Sequence, residues 1–153
     1  MGETFFENLC AQSGITCNGS KIDKTGWDYI VEFGFQNNDE IHEAPICCKV
    51  QVKSTDTFGG NNQIKLSNLR RMCTEHMPTF YLFINFNGTN DAQDVCLVHV
   101  HKELITEVFK KIQTINQDTP LESLHKKKMY IKYSGDQKLA VNTGDCLKDN
   151  MLK

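Results

Sequence analysis

No Cys-x-x-Cys pair occurs among the seven cysteines of this 153-residue chain. A zinc ribbon or a thioredoxin-type redox centre therefore has no framework here. No apolar run approaches the length needed to span a bilayer. The start, Met1-Gly-Glu-Thr-Phe-Phe, has neither the basic nor the apolar stretch of a signal peptide. A strong basic excess is also missing. The formal net charge of −2 excludes a histone-like coating of nucleic acid but leaves room for a local basic patch. The Gly59-Gly60 loop lacks the Lys-Ser/Thr ending of a Walker phosphate loop. No internal repeat and no second domain are visible. The expectation is one soluble, cytoplasmic domain over residues 1–153, its thiols reduced and several of them buried as small hydrophobes. Without a signal peptide, the triplets Asn18-Gly-Ser and Asn87-Gly-Thr carry little weight as glycosylation sites.

What is present is a run of well-patterned elements. Residues 2–13 read as a helix, with Phe5, Phe6, Leu9 and Cys10 at helical spacing and Gly14 as its stop. Residues 15–26 are polar, contain Asp23, and read as a loop or a short extended piece. Trp27–Phe35 alternates as a strand, with Trp27, Tyr29, Val31, Phe33 and Phe35 on one side and Asp28, Ile30 and Glu32 on the other. A polar turn over 36–43 leads to a second strand, Ile46–Ser54. On it the adjacent Cys47 and Cys48 point to opposite faces. Residues 55–64 read as a loop and Ser67–Met77 as a helix closed by Pro78. The nearly continuous apolar run Thr79–Phe86 suits a central strand covered on both faces. Asp94–His101 reads as a strand with Val95, Leu97, His99 and His101 on one face, a histidine pair that is structural unless further ligands join it. Lys102–Asn116 is an amphipathic helix with Leu104, Ile105, Val108, Phe109 and Ile112 inward. Met129–Tyr133 is a last strand, and the tail after Ser134 is weakly patterned. This order describes an α/β protein with a central β-sheet flanked by helices.

Within that frame, Val50-Gln51-Val52-Lys53 sorts its residues by chemistry. Side chains at i and i+2 of a strand share a face about 7 Å apart, so the valines meet a core while Gln51 and Lys53 face outward together. A carboxylate from Asp28, at the start of the neighbouring strand, completes a small polar cluster. Glu3 and Glu7 share one helix face. They are either a solvated pair suited to the helix N-terminus or, in Glu3's case, a group leaning towards the cluster. Basic residues gather at Lys65, Arg70 and Arg71, and again at Lys126, Lys127 and Lys128.

Glu3 with Phe5-Phe6, Gly26-Trp27-Asp28 and Gln51-Val52-Lys53-Ser54 together resemble the PD-(D/E)xK nuclease superfamily, in particular its Mrr-like and restriction-endonuclease-like domains with a Gln-x-Lys variant motif. The match extends over roughly residues 1–100. It implies a restriction-endonuclease-like core with a four-stranded mixed sheet flanked by helices, and a Mg²⁺-dependent (or Mn²⁺-dependent) endonuclease acting on DNA, most simply duplex DNA. Asp28, Gln51 and the Val52 carbonyl would hold the metal, with Lys53 and Glu3 as further catalytic groups. Lys65, Arg70 and Arg71 would bind the nucleic acid. Family habit adds a homodimer or higher oligomer, a fused or associated sensor domain, and a role in bacterial restriction or antiphage defence. The chemistry suits the residue types: Mg²⁺ takes hard oxygen ligands, and an ammonium offsets charge developing at phosphorus. Gln51 leaves the cluster one carboxylate short of the usual acidic set. The alternatives are a catalytically silent nucleic-acid-binding module on the same fold and a protein-interaction domain.

Overall fold

The computed structural model describes residues 2–20, 27–33, 46–56, 63–116, 127–133 and 137–152. Its elements run α1 (Gly2–Ser13), β1 (Thr16–Gly19), β2 (Tyr29–Phe33), β3 (Ile46–Thr55), β4 (Gln63–Lys65), α2 (Leu66–Cys73), β5 (Thr79–Asn85), β6 (Asp94–His99), α3 (Lys102–Asn116), β7 (Lys128–Tyr130) and α4 (Gly144–Met151). The main sheet has five strands in the order β1-β2-β3-β5-β6, and β4 and β7 form a separate ribbon. β3 pairs antiparallel with β2 and parallel with β5, so the sheet is mixed. Among the described residues, no helix is long and apolar enough to cross a membrane.

The sheet separates two cores, one on each face. Tyr29, Val31, Phe33, Cys48, Val50 and Val52 turn to one face, where Phe6 and Leu9 of α1 and Leu147 and Met151 of α4 cover them. Tyr81 and Phe83 turn to the other face, against Leu69 and Met72 of α2 and Val108 and Ile112 of α3. β5 is therefore buried on both sides, as its unbroken apolar run requires. Cys48 is buried on the α1 face while Cys47 is half-exposed, and all seven cysteines are free thiols.

α1 ends where the sequence places its stop. Gly14 takes φ +70°. Its N–H donates to the Ala11 carbonyl, and the Ile15 N–H donates to the Cys10 carbonyl at 2.9 Å. This Schellman closure satisfies the last carbonyls and needs a residue without a Cβ penalty at Gly14. Gly144, the first residue of α4, is needed for a different reason. A Cβ there would run into the Leu9 carbonyl of α1, where the two helices cross. Gly144→Ala is expected to lower stability by about 1–3 kcal/mol, the usual cost of overpacking. Urea unfolding followed by circular dichroism checks this.

Several elements differ from the sequence expectation. The sheet has a fifth strand, β1, in the segment whose sequence reads as a loop or a short extended piece. It is a four-residue edge strand of mostly exposed residues, so no apolar alternation announces it. β4 also falls in an expected loop, and its partner β7 lies over sixty residues later. The polar tail contains α4, capped by Thr143, whose hydroxyl accepts from the Cys146 N–H. α2 stops at Cys73 rather than Met77. Thr74 bonds back to the Arg71 carbonyl, and Glu75 turns to pair with Lys49. On α3, Val108 and Ile112 are buried, but Phe109 stands 37 % exposed rather than inward.

Candidate functional site

Asp28 sits where β2 begins, and its backbone is held from both sides. Its N–H donates to the Val50 carbonyl at 2.9 Å, and its carbonyl accepts from the Ser20 N–H at 2.7 Å. A regular strand residue sends both groups to the same neighbour, so the alternation breaks here. The break has a visible consequence. Trp27, expected on the Tyr29 face, packs instead with the core on the α2 face, its ring under the Lys49 ammonium.

The Asp28 carboxylate continues the pairing that the backbone abandons. The last β2–β3 pair is Tyr29 with Val50. Beyond it, Asp28 Oδ2 accepts from the Val52 N–H at 2.8 Å. Lys49 and Thr55 of β3 direct their backbone groups towards the β5 side. Val52, of opposite parity, directs both N–H and carbonyl to the Asp28 side. Its side chain enters the α1-face core. Gln51 and Lys53, flanking it, project from the opposite face.

Asp28, Gln51 and Lys53 line one cleft of about 400 Å³ together with Lys65, Asn68 and Lys128. Gln51 is 8 % exposed, whereas Lys53 is exposed. The Tyr81 hydroxyl, from the β5 residue beside Gln51, donates to Asn68 Oδ1 at 2.6 Å and so fixes the first turn of α2 against the sheet. Lys49, the third outward residue of this row, is tied to Glu75. Among the described residues, the cleft lining holds three lysines against one carboxylate, a balance that attracts phosphate.

Glu3 lies elsewhere. It belongs to α1, on the other face of the sheet, and does not line the cleft. The Tyr29 hydroxyl donates to Glu7 Oε1 at 2.7 Å. Burial, that bond and the charges of Glu7 and Glu3 push the Tyr29 hydroxyl well above the usual phenol range. Arg70 and Arg71 are exposed in the last turn of α2, where they complement the helix dipole; neither lines the cleft. Asp23 falls outside the described residues, as does most of the Gly59-Gly60 loop. Sequence reading placed Lys128 only in a basic run. The β4–β7 ribbon brings it to the cleft: β7 starts one residue before the strand expected over Met129–Tyr133, and its pairing with β4 has no signal in the sequence.

Among the described residues, no three His, Cys, Asp or Glu side chains converge as a metal cage. Asp28 and Gln51, which line the cleft, and the Val52 carbonyl, which is not among its lining residues, offer hard oxygens of the type Mg²⁺ accepts. Only Asp28 among them brings a formal charge.

The histidine pair belongs to a second cleft, of about 420 Å³. The His99 ring stacks on Phe80 at 4.7 Å and on His101 at 5.0 Å. Partial burial and then the neighbouring His101 lower the His99 pKa from its ordinary 6.5. The unfolded chain therefore takes up this proton first as pH falls. The contribution is flat above about pH 7 and turns unfavourable to the fold from 6.5 down to the folded value. Unfolding midpoints at pH 7.5 and 5.5 are expected to show a smaller acid loss in His99→Gln than in wild type.

No protein-family model, curated protein or solved structure matches the chain.

Proposed function

We propose that this chain is a metal-dependent endonuclease of the PD-(D/E)xK kind, hydrolysing DNA phosphodiesters at a site one carboxylate short of the usual set. The observation that carries the reading is the Asp28 carboxylate seated on the Val52 N–H, between Gln51 and Lys53, in a lysine-rich cleft. Further support comes from the mixed sheet, whose strands β2-β3-β5-β6 flanked by helices suit the restriction-endonuclease-like core that the resemblance implies.

Asp28, Gln51 and the Val52 carbonyl would hold Mg²⁺ or Mn²⁺. When bound, the ion supplies a water of lowered pKa and a counter-charge for a non-bridging phosphate oxygen. The chain's own residues do the rest. Asp28 keeps its geometry because one carboxylate oxygen accepts the Val52 N–H, which holds the residue in the lining of the cleft. Lys53 orients the attacking water and offsets the charge that builds at phosphorus. Gln51 contributes oxygen without charge, so the site relies on the substrate phosphate to help recruit the cation. Cutting both strands of a duplex takes two such sites, which favours a dimer or higher assembly. An antiphage or restriction effector joined to a sensor domain is the setting in which such an activity would be held in check.

The same charge balance favours one second reading, a silent DNA-binding module on this fold. Supercoiled plasmid separates the two. The enzyme nicks or degrades it with Mg²⁺ or Mn²⁺ and loses this in Lys53→Ala. The silent module retards the plasmid on a gel and leaves it intact with either metal.

A further inference from the structure

We infer that Lys65 and Lys128 form a phosphate clamp, a binding site for a backbone phosphate of the nucleic-acid strand beside the one held at Asp28 and Lys53. The clamp rests on the nuclease reading for the identity of the strand, but it makes its own measurable claim.

The β4–β7 ribbon pairs Lys65 directly with Lys128, and both side chains line the Asp28 cleft. Like charges directly opposite each other in an antiparallel pair destabilise it. The ribbon has little stability to spare, since it is three residues long on each side and an isolated hairpin is marginal in water. Among the described residues neither lysine has an ion-pair partner, whereas Lys49 and Lys138 do. A ribbon selected for stability alone would place an acidic residue at one of the two positions.

The ribbon is nevertheless held in place. Ile64 is 3 % exposed, in the α2-face core, and the Leu66 N–H donates to the Lys127 carbonyl at 2.9 Å. These contacts hold the lysine backbones side by side against their repulsion. α2 starts at Leu66, and its N-cap residue Lys65 provides no side-chain cap. The positive end of the helix dipole therefore starts at the backbone of the Lys65–Lys128 pair, an arrangement that favours an anion. An anion between the lysines would turn the repulsion into attraction on both sides. The strand phosphate is the anion that the adjoining Asp28–Lys53 site brings within reach.

The test uses the full chain in EDTA, where nothing is cut, and reads binding of a fluorescent duplex oligonucleotide across a salt series. Each phosphate contact contributes about 0.9 to the slope of log affinity against log salt. The double variant Lys65→Met/Lys128→Met is expected to lose roughly 0.9 of that slope, one phosphate's share, while Lys65→Arg/Lys128→Arg keeps it. Without DNA and at low salt, the Met variant is expected to melt at or above the wild-type temperature, because it has lost only repulsion. An unchanged slope, or a lower melting temperature without DNA, overturns the clamp. So does inorganic pyrophosphate competing as well as the oligonucleotide at matched ionic strength, which would make this a free-phosphate site. The two proposals fail separately. Loss of slope in a protein that cuts nothing leaves the clamp standing without the nuclease. Cutting with an unchanged slope leaves the nuclease standing without the clamp.

Discussion

Asp28→Asn is expected to abolish plasmid nicking while leaving the unfolding midpoint close to that of wild type; Asp28→Ala is expected to lose both. The difference follows from the two jobs that the proposed mechanism gives one carboxylate. One oxygen accepts the Val52 N–H at 2.8 Å and finishes the β2–β3 pairing where the backbone ladder ends. Asparagine retains an acceptor oxygen for that bond. Alanine leaves a half-buried strand N–H without its partner, at a cost of about 1–3 kcal/mol, or a few degrees of melting temperature for a domain of this size. The chemical job needs the negative charge, and both variants lack it. Loss of a group that stabilises the transition state costs on the order of a hundredfold to a thousandfold in rate, and loss of the only charged oxygen in the donor set belongs at the upper end. Nicking rates at saturating Mg²⁺, read beside thermal unfolding, check both halves. An Asp28→Asn protein that still nicks at more than a tenth of the wild-type rate would remove Asp28 from the chemistry and leave it a structural role.

The same residue shows why part of the site was legible in sequence. Along Val50–Lys53 the strand period sorts apolar from polar side chains, and the structure sends Val50 and Val52 to a core while Gln51 and Lys53 meet a cleft. The period carried across β2 as well, but it failed at Trp27, because the backbone turns at Asp28 and a two-residue repeat cannot report a turn. The apolar run of β5 and the amphipathic α3 were readable because burial on two faces or one stripe demands apolar residues. β1, β4 and β7 were hidden or blurred because short exposed strands are fixed by their partners rather than by their own composition. Lys128 was lost with them, since only the pairing with Lys65 shows where it points. Glu3 marks the opposite case. Its place on a helix face was readable, but the side of the sheet that the helix covers was not, and α1 covers the far side.

Gln51→Glu is expected to reduce the Mg²⁺ concentration for half-maximal cleavage by tenfold or more. The two side chains have nearly the same shape, so packing at this position, 8 % exposed, is little disturbed. What changes is one unit of charge beside Asp28. At about 4 Å and with water-like screening, a single charge and a divalent ion attract by roughly 2 kcal/mol, which corresponds to more than a factor of ten in affinity. The added carboxylate has a cost without metal. It repels Asp28 and is poorly hydrated, so the variant should melt lower than wild type in EDTA. It should then gain more than wild type when Mg²⁺ is added, because a ligand that binds only the folded state stabilises it in proportion to its affinity. This paired signature distinguishes metal coordination from a general effect of charge, which would change stability alike with and without Mg²⁺. It also bears on the silent module. If wild type binds DNA without cutting and Gln51→Glu cuts, the fold and cleft are complete and the missing carboxylate is what silences them. If neither the half-maximal Mg²⁺ concentration nor the Mg²⁺-dependent melting shift moves, Gln51 lies outside the metal's reach, and the donor set built on Asp28, Gln51 and Val52 is wrong.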